Sequence, residues 1–275
     1  MKNALAVARQ DLLDAYRSYL VWGVTGTYVV LAAIITYVTG GTAEPTTELA
    51  LQGISLLTIL LVPLVALVAG YLAIAGERES GTIRLLLGYP NSRAEVFFGK
   101  LISRLSIVGG AIVAALLAGA VVAFVRYPSV DVRMIVGYSA VTVLFTSAYV
   151  AVAVGVSAMV KSRSRAMASA VGFYFLFNVM WSVISPVTVP QIVVSTFGRF
   201  GVRVSAEIYQ FLLALSPPVA YTNALELVSP TLTVTPASNM DVAYLEPEVM
   251  VLVLVGWIVA PLTLGYLRFR SAQLS

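Results

Sequence analysis

Long apolar runs alternate with short polar ones along this chain, and the runs have membrane length. Positions 19–39 carry no charge over about twenty residues, which at about 1.5 Å per helical residue crosses the roughly 30 Å hydrocarbon core of a bilayer. Comparable runs cover about 51–75, 101–125, 134–160, 166–187 and 249–267, so the pattern predicts six spans, the second kinked at Pro63. Ahead of them, residues 1–18 place Leu5, Ala8, Leu12 and Tyr16 three and four apart, with Arg9, Asp11, Asp14 and Arg17 on other faces. That spacing predicts an amphipathic helix lying in the membrane interface. Between the fifth and sixth runs, residues 188–248 mix apolar pieces with breakers at Pro190, Pro217, Pro218, Pro230 and Pro236. They read as a folded extramembrane cap with one or two short helices dipping into the interface. A seventh span over 192–215 would bring Arg199, Arg203 and Glu207 into hydrocarbon, at about 2.5 to 3.5 kcal/mol for each Arg, and is disfavoured.

The polar interruption at 76–100, GERESGTIRLLLGYPNSRAEVFFGK, has explicit turn chemistry. Ser80 is placed to cap a short helix with Ile83, Leu86 and Leu87 on one face; Gly88 suits the left-handed position after its last turn, and Pro90 stops it. Ser92 with Glu95 three residues on forms a capping box that starts a second helix into the third span. The expectation is a helix, turn, helix on the membrane surface, with Glu77, Arg78, Glu79, Arg84 and Arg93 available to something in water.

Composition narrows the class. Of the 275 residues 59% are hydrophobic and 11% charged, where soluble domains carry about a quarter charged, so this is an all-α polytopic membrane protein. With no cysteine and no histidine, disulfides, haem ligation, thiolate chemistry and nearly every transition-metal site are removed, and no catalytic or metal residue is assigned. The net charge of +4 has no clustered basic face, which argues against nucleic acid. Of the 17 Lys and Arg, all but Arg126, Arg133, Arg199 and Arg203 fall on the side that holds the N-terminus, 76–100, the Lys161–Arg165 turn and the Arg268, Arg270 tail. By the positive-inside rule that side is cytoplasmic, with both termini there.

No Asp, Glu, Lys or Arg lies deep inside a predicted span, which weighs against proton-coupled transport and intramembrane proteolysis. Tyr138, Thr142, Tyr174 and Asn178 supply mild polarity, either lining a substrate path or bonding across helices. Small residues four apart (Ala111, Ala115, Gly119; Ser147, Ala151, Gly155) allow close helix approach within one chain or across a dimer. Gly76 to Gly81 has part of a P-loop spacing, but Thr82 stands where Lys is required and no strand precedes it. The chain has no ATPase of its own; if it transports, energy enters through 76–100.

The run Glu77-Arg78-Glu79-Ser80-Gly81-Thr82, then Leu85 to Leu87, Pro90, Arg93 and Gly99-Lys100, resembles the segment between the second and third spans of ABC-2 type ABC transporter permeases, NosDFY-like systems among them. Leu215-Ser216-Pro217 with Ala220-Tyr221 is similar to that family's segment before its last span. The resemblance covers essentially the whole chain. It implies the fold of type V exporters: six transmembrane helices, an N-terminal elbow helix, a cytoplasmic coupling helix at 76–100 and an extracellular cap at 188–248. It implies an exporter permease in the plasma membrane, paired with a second permease copy and with separate ABC ATPase subunits that bind the ATP and Mg. Contact with the ATPase would then fall to Glu77, Arg78, Glu79, Gly81, Thr82, Arg84 and Arg93. Copper-related members invite a search for thiolate or imidazole ligands, which this chain lacks. A membrane scaffold subunit and a secondary transporter are the competing readings, and the substrate is open.

Overall fold

A computed structural model describes residues 2–16, 19–83, 92–181, 188–200, 204–232 and 246–272, and among these there is no strand. The helices, in chain order, are α1 (Lys2–Tyr16), α2 (Tyr19–Thr39), α3 (Thr47–Gly70), α4 (Ala75–Ser80), α5 (Arg93–Arg126), α6 (Val132–Met159), α7 (Arg163–Tyr174), α8 (Val189–Arg199), α9 (Ala206–Ala214), α10 (Pro217–Ala224) and α11 (Pro247–Ser271). A π-helical turn, Phe175–Met180, extends α7. Among the described residues four helical stretches are long and apolar enough to cross a membrane: Thr47–Ser80, Arg93–Arg126, Val132–Met159 and Pro247–Ser271. The protein is thus a multi-pass helical membrane protein. α3 continues through Pro63.

The bundle is built around α6. Tyr138, Phe145, Tyr149, Val150, Ala151 and Val154 on it are fully buried, and α3, α5, α7, α10 and α11 all touch it. Both stripes of small residues work inside the chain. A Cβ on Gly155 would stand 2.4 Å from the Pro261 carbonyl oxygen, so α6 and α11 meet backbone to backbone there. Gly119 likewise admits α2, with Thr36 3.2 Å from where its Cβ would be. In hydrocarbon no hydrophobic force drives helices together, so close van der Waals approach of this kind has to do it.

α1 packs on the bundle through its small residues. Ala4, Val7, Ala8 and Asp11 are buried, while Leu5 and Leu12 point away from the bundle. The reason is close approach: a Cβ on Gly99 would come within 2.8 Å of the Ala4 carbonyl oxygen and of the Val7 side chain, so only the small-residue face of α1 fits against α5. The leucines stay outward, where an interfacial helix meets lipid.

Part of the 188–248 stretch packs into the bundle. α8 and α9 are separate short helices, so no continuous helix covers 192–215. After α9, Ser216 caps α10, whose Pro217, Pro218, Ala220, Tyr221 and Ala224 are buried. The Tyr221 ring stacks on Phe145, 4.4 Å between centroids, near the middle of the long helix α6. The proline-marked break therefore lies within the bundle. Its free carbonyls are met by two indoles: Trp257 Nε1 donates to Leu215 O at 2.8 Å, and Trp181 Nε1 to Leu212 O at 3.0 Å and Leu213 O at 3.2 Å. Irregular backbone at membrane depth is tolerated only where protein satisfies it in this way.

Candidate functional site

The predicted ATPase-coupling residues converge at the α4 end of the bundle, and there they are mostly engaged with the rest of the chain. Ser80 is not an N-cap. It is the last residue of α4, and Gly81 follows in the left-handed region at φ 77°, the position after a helix that glycine fills without strain. Helix resumes at 82–83. Arg84, Leu85 to Leu87, Gly88 and Pro90, and with them the predicted end of that helix, lie outside the described residues. The second capping box forms as expected: Ser92 Oγ accepts from Glu95 N, and the Glu95 carboxylate accepts from Ser92 N at 3.0 Å.

Arg78, Glu79 and Arg93 each reach a different helix. Arg78 donates through one Nη to the carbonyls of Ala158 and Val160 at 3.1 and 3.0 Å, covering the end of α6. Glu79 accepts from Arg163 N at the start of α7, where a carboxylate meets unpaired amides and the positive end of the helix dipole. Arg93 donates to the carbonyls of Phe269, Arg270 and Ala272 at 2.9, 2.8 and 2.7 Å, capping α11. Just before α4, the amides of Ile74 and Ala75 both donate to Ser157 Oγ at 3.0 Å. Thr82 Oγ1 bonds only locally, to Ser80 Oγ at 2.8 Å, and is exposed. Gly81 is exposed as well.

Glu77 turns inward and completes a cluster that the spacing of residues did not suggest. Lys100 Nζ bridges two carboxylates, Asp11 Oδ1 on α1 at 2.7 Å and Glu77 Oε1 on α4, while Arg104 Nη2 reaches Asp11 Oδ1 at 3.2 Å. The Asp11 and Lys100 side chains are each 8% exposed, Arg104 19% and Glu77 21%. Burial alone would raise the Asp11 carboxyl, but the charges of Lys100 and Arg104, with the Lys100 hydrogen bond, outweigh it and hold the group below its ordinary carboxylate value. The Ser103 hydroxyl lies beside this carboxylate, close enough to lower it further, without meeting hydrogen-bond geometry. Asp11 Oδ2, Glu77 Oε2, Ser103 Oγ and Arg104 Nε are buried with no hydrogen-bond partner among the described residues.

The other predicted site residues bond across helices. Tyr138 is fully buried and its hydroxyl meets Ser55 and Thr58 of α3, each at 3.3 Å. Thr142 pairs with the Tyr221 hydroxyl at 3.0 Å. Asn178 accepts from Tyr149 at 2.6 Å and donates to Ile59 O at 3.1 Å. Tyr174 donates weakly to Leu60 O at 3.3 Å and also lines an apolar groove of about 370 Å³ between α3 and α7, with Leu64, Val68, Met167 and Val171.

α4 is thus a short charged element pinned to the ends of several long apolar helices. The model of the ABC-2 family transporter proteins matches residues 5–274, and the chain belongs to that family. It is 27% identical to a probable ABC transporter permease protein NosY of Stutzerimonas stutzeri, over 98% of this chain and 99% of that protein. It is also 27% identical to the probable ABC transporter permease protein NosY of Pseudomonas aeruginosa PAO1, over 64% of this chain and 67% of that protein.

Proposed function

We propose that this chain is the permease subunit of an ATP-binding cassette exporter, forming the membrane pathway and driven by a separate ATPase that binds the ATP and Mg. The observation that carries the reading is the family match over residues 5–274. The arrangement at α4 supports it: a partner that displaced this element would pull directly on α5, α6 and α7, and through α5 on α1 and α11. Gly81 and Thr82, both exposed, meet the ATPase together with Arg84, while Glu77, Arg78, Glu79 and Arg93 transmit the force inward. The six spans are α2, α3, α5, α6, α7 with the turn after it, and α11, with both termini and α4 cytoplasmic. α1 is the elbow helix, and residues 188–248 make an external segment whose α10 enters the bundle. A second permease copy completes the pathway in the plasma membrane. Tyr174 faces that pathway from its groove, and Tyr138, Thr142 and Asn178 hold its walls together.

The test is co-purification with the ATPase encoded beside this chain, followed by ATP hydrolysis in lipid. Replacing Glu79 and Arg84 together by alanine is expected to weaken assembly or to uncouple hydrolysis. Unchanged binding and coupling would sink the assignment of the segment.

A further inference from the structure

The four-charge cluster at α1, α4 and α5 balances two carboxylates against two cations, yet it does not close. Two acceptors, Asp11 Oδ2 and Glu77 Oε2, and two donors, Ser103 Oγ and Arg104 Nε, are buried without partners. A buried polar network left half satisfied is costly, and an equal surplus of donors and acceptors is what a second pairing needs. That pairing is within reach. Arg104 already donates Nη2 to Asp11 Oδ1, and its unpartnered Nε lies on the same edge of the guanidinium. A side-on, two-bond contact to both Asp11 oxygens is the strong geometry for arginine and carboxylate. Once Arg104 takes Asp11 in that way, Lys100 is left to Glu77.

The two arrangements keep every ion paired and differ in one mechanical respect. In the arrangement observed, Lys100 holds Asp11 and Glu77 at once, so α1 and α4 are clasped through α5. In the other, α1 is held by Arg104 and α4 by Lys100 separately, and α4 moves without dragging α1.

We infer that Lys100, with Asp11 as its second carboxylate, is a positioning residue for energy coupling, a clasp that fixes α4 to α1 and exchanges partners with Arg104 when α4 is displaced. This rests on the reading of α4 as the element that meets the ATPase. It goes beyond it by assigning the exchange to residues outside that element.

The chain has no cysteine, so thiols introduced at Leu13 of α1 and Ser80 of α4, both exposed, are the only ones available for nitroxide labels. Label distances and ATP hydrolysis per assembled complex are measured on the permease with its ATPase in lipid. Wild type is expected to give one narrow α1–α4 distance within each permease copy without nucleotide and a shifted one with bound ATP. Lys100→Met broadens the nucleotide-free distance and lowers hydrolysis about tenfold, and Lys100→Arg restores it to within about threefold, the range of a typical coupling energy. If Lys100→Met does not fold, Asp11→Asn keeps the Lys100–Glu77 pair while breaking the bridge, and the same loss is expected. A narrow distance and full hydrolysis in both Lys100→Met and Asp11→Asn overturn the clasp and leave the permease reading intact. A wild-type pair that neither assembles nor hydrolyses ATP overturns the permease reading, and the coupling role of Lys100 falls with it.

Discussion

Two polar regions of this bundle solve the problem of burying hydrogen-bonding groups in opposite ways. At the α4 end, Asp11, Glu77, Lys100 and Arg104 are full charges, paired across three helices and incompletely satisfied. Around the break between α9 and α10, every side chain that bonds is neutral: Trp181, Trp257, Thr142, Tyr221, Tyr149 and Asn178. Among the described residues there, Asn223 Oδ1 is the one buried polar side-chain atom without a partner. Depth accounts for the difference. A charge at the centre of a bilayer costs several kcal/mol, so polarity near the middle of α6 has to be hydroxyl, amide or indole. Near a helix end water is at hand, ions are affordable, and a network with spare donors and acceptors can rearrange.

The comparison breaks most visibly at Lys100. Lys100→Met leaves Glu77 without its cation while Asp11 keeps Arg104, and removing one partner of a buried pair costs about 3 to 5 kcal/mol. Thermal unfolding in detergent is expected to show that loss, and most of it should return when Glu77→Gln is added, since Asp11 and Arg104 then remain paired and no charge stays unpaired. Next in size is Trp257→Phe. It keeps the ring contacts with Phe173 and Phe177 and strips the donor from Leu215 O, an expected loss of about 1 to 3 kcal/mol for an unsatisfied buried carbonyl. Equal stability of Trp257→Phe and wild type would mean that the break is satisfied by water, and that the two regions differ less than their side chains suggest. Smaller again is Tyr149→Phe, which removes the donor to Asn178. Side-chain hydrogen bonds inside membranes average about 0.6 kcal/mol and reach about 1.7 kcal/mol, and the same melting experiment reads the change.

How far these regions could be read from the sequence follows the range of the interactions that make them. The capping box at Ser92 and Glu95 depends on residues three apart, and it is present as expected. Ser80 was misleading because Ser followed by Gly, Thr and Ile fits the start of a helix as well as the end of one. Gly81 carried the deciding signal, a residue able to take positive φ directly after Ser80. The ionic cluster joins positions 11, 77, 100 and 104, and no local pattern links them. The available hint was that Asp11 continues the Ala4, Val7, Ala8 stripe at helical spacing, a carboxylate set into the face that packs on α5. For α10, Ser216-Pro217-Pro218 correctly announced a break. Its depth was illegible, because that is set by Trp257 forty-two residues further on, through the bond to Leu215 O. Tyr138, Thr142 and Asn178 were visible as intramembrane polarity, and only packing could tell that their polar atoms were already taken.

Acid separates the two regions by the smallest and most selective effect. Folding holds the Asp11 carboxyl below the ordinary carboxylate value, through Lys100 and Arg104 acting against its burial. A group whose folded value is depressed contributes stability that is fully present above its unfolded value of about 3.9 and is lost as pH falls through the folded value. Between pH 5 and pH 8 the attachment of α1 to α5 is therefore expected to be constant, and below about pH 4 to weaken as Asp11 takes up its proton and the cations lose their partner. The tyrosine, threonine, asparagine and tryptophan bonds around α10 have no group that titrates in that interval, so protection from hydrogen exchange, taken relative to free amides at each pH, should stay level there while protection in α1 falls. Asp11→Asn abolishes the acid step in α1 if this carboxylate is its source. An acid step of the same size in Asp11→Asn would show that this carboxylate is not its source.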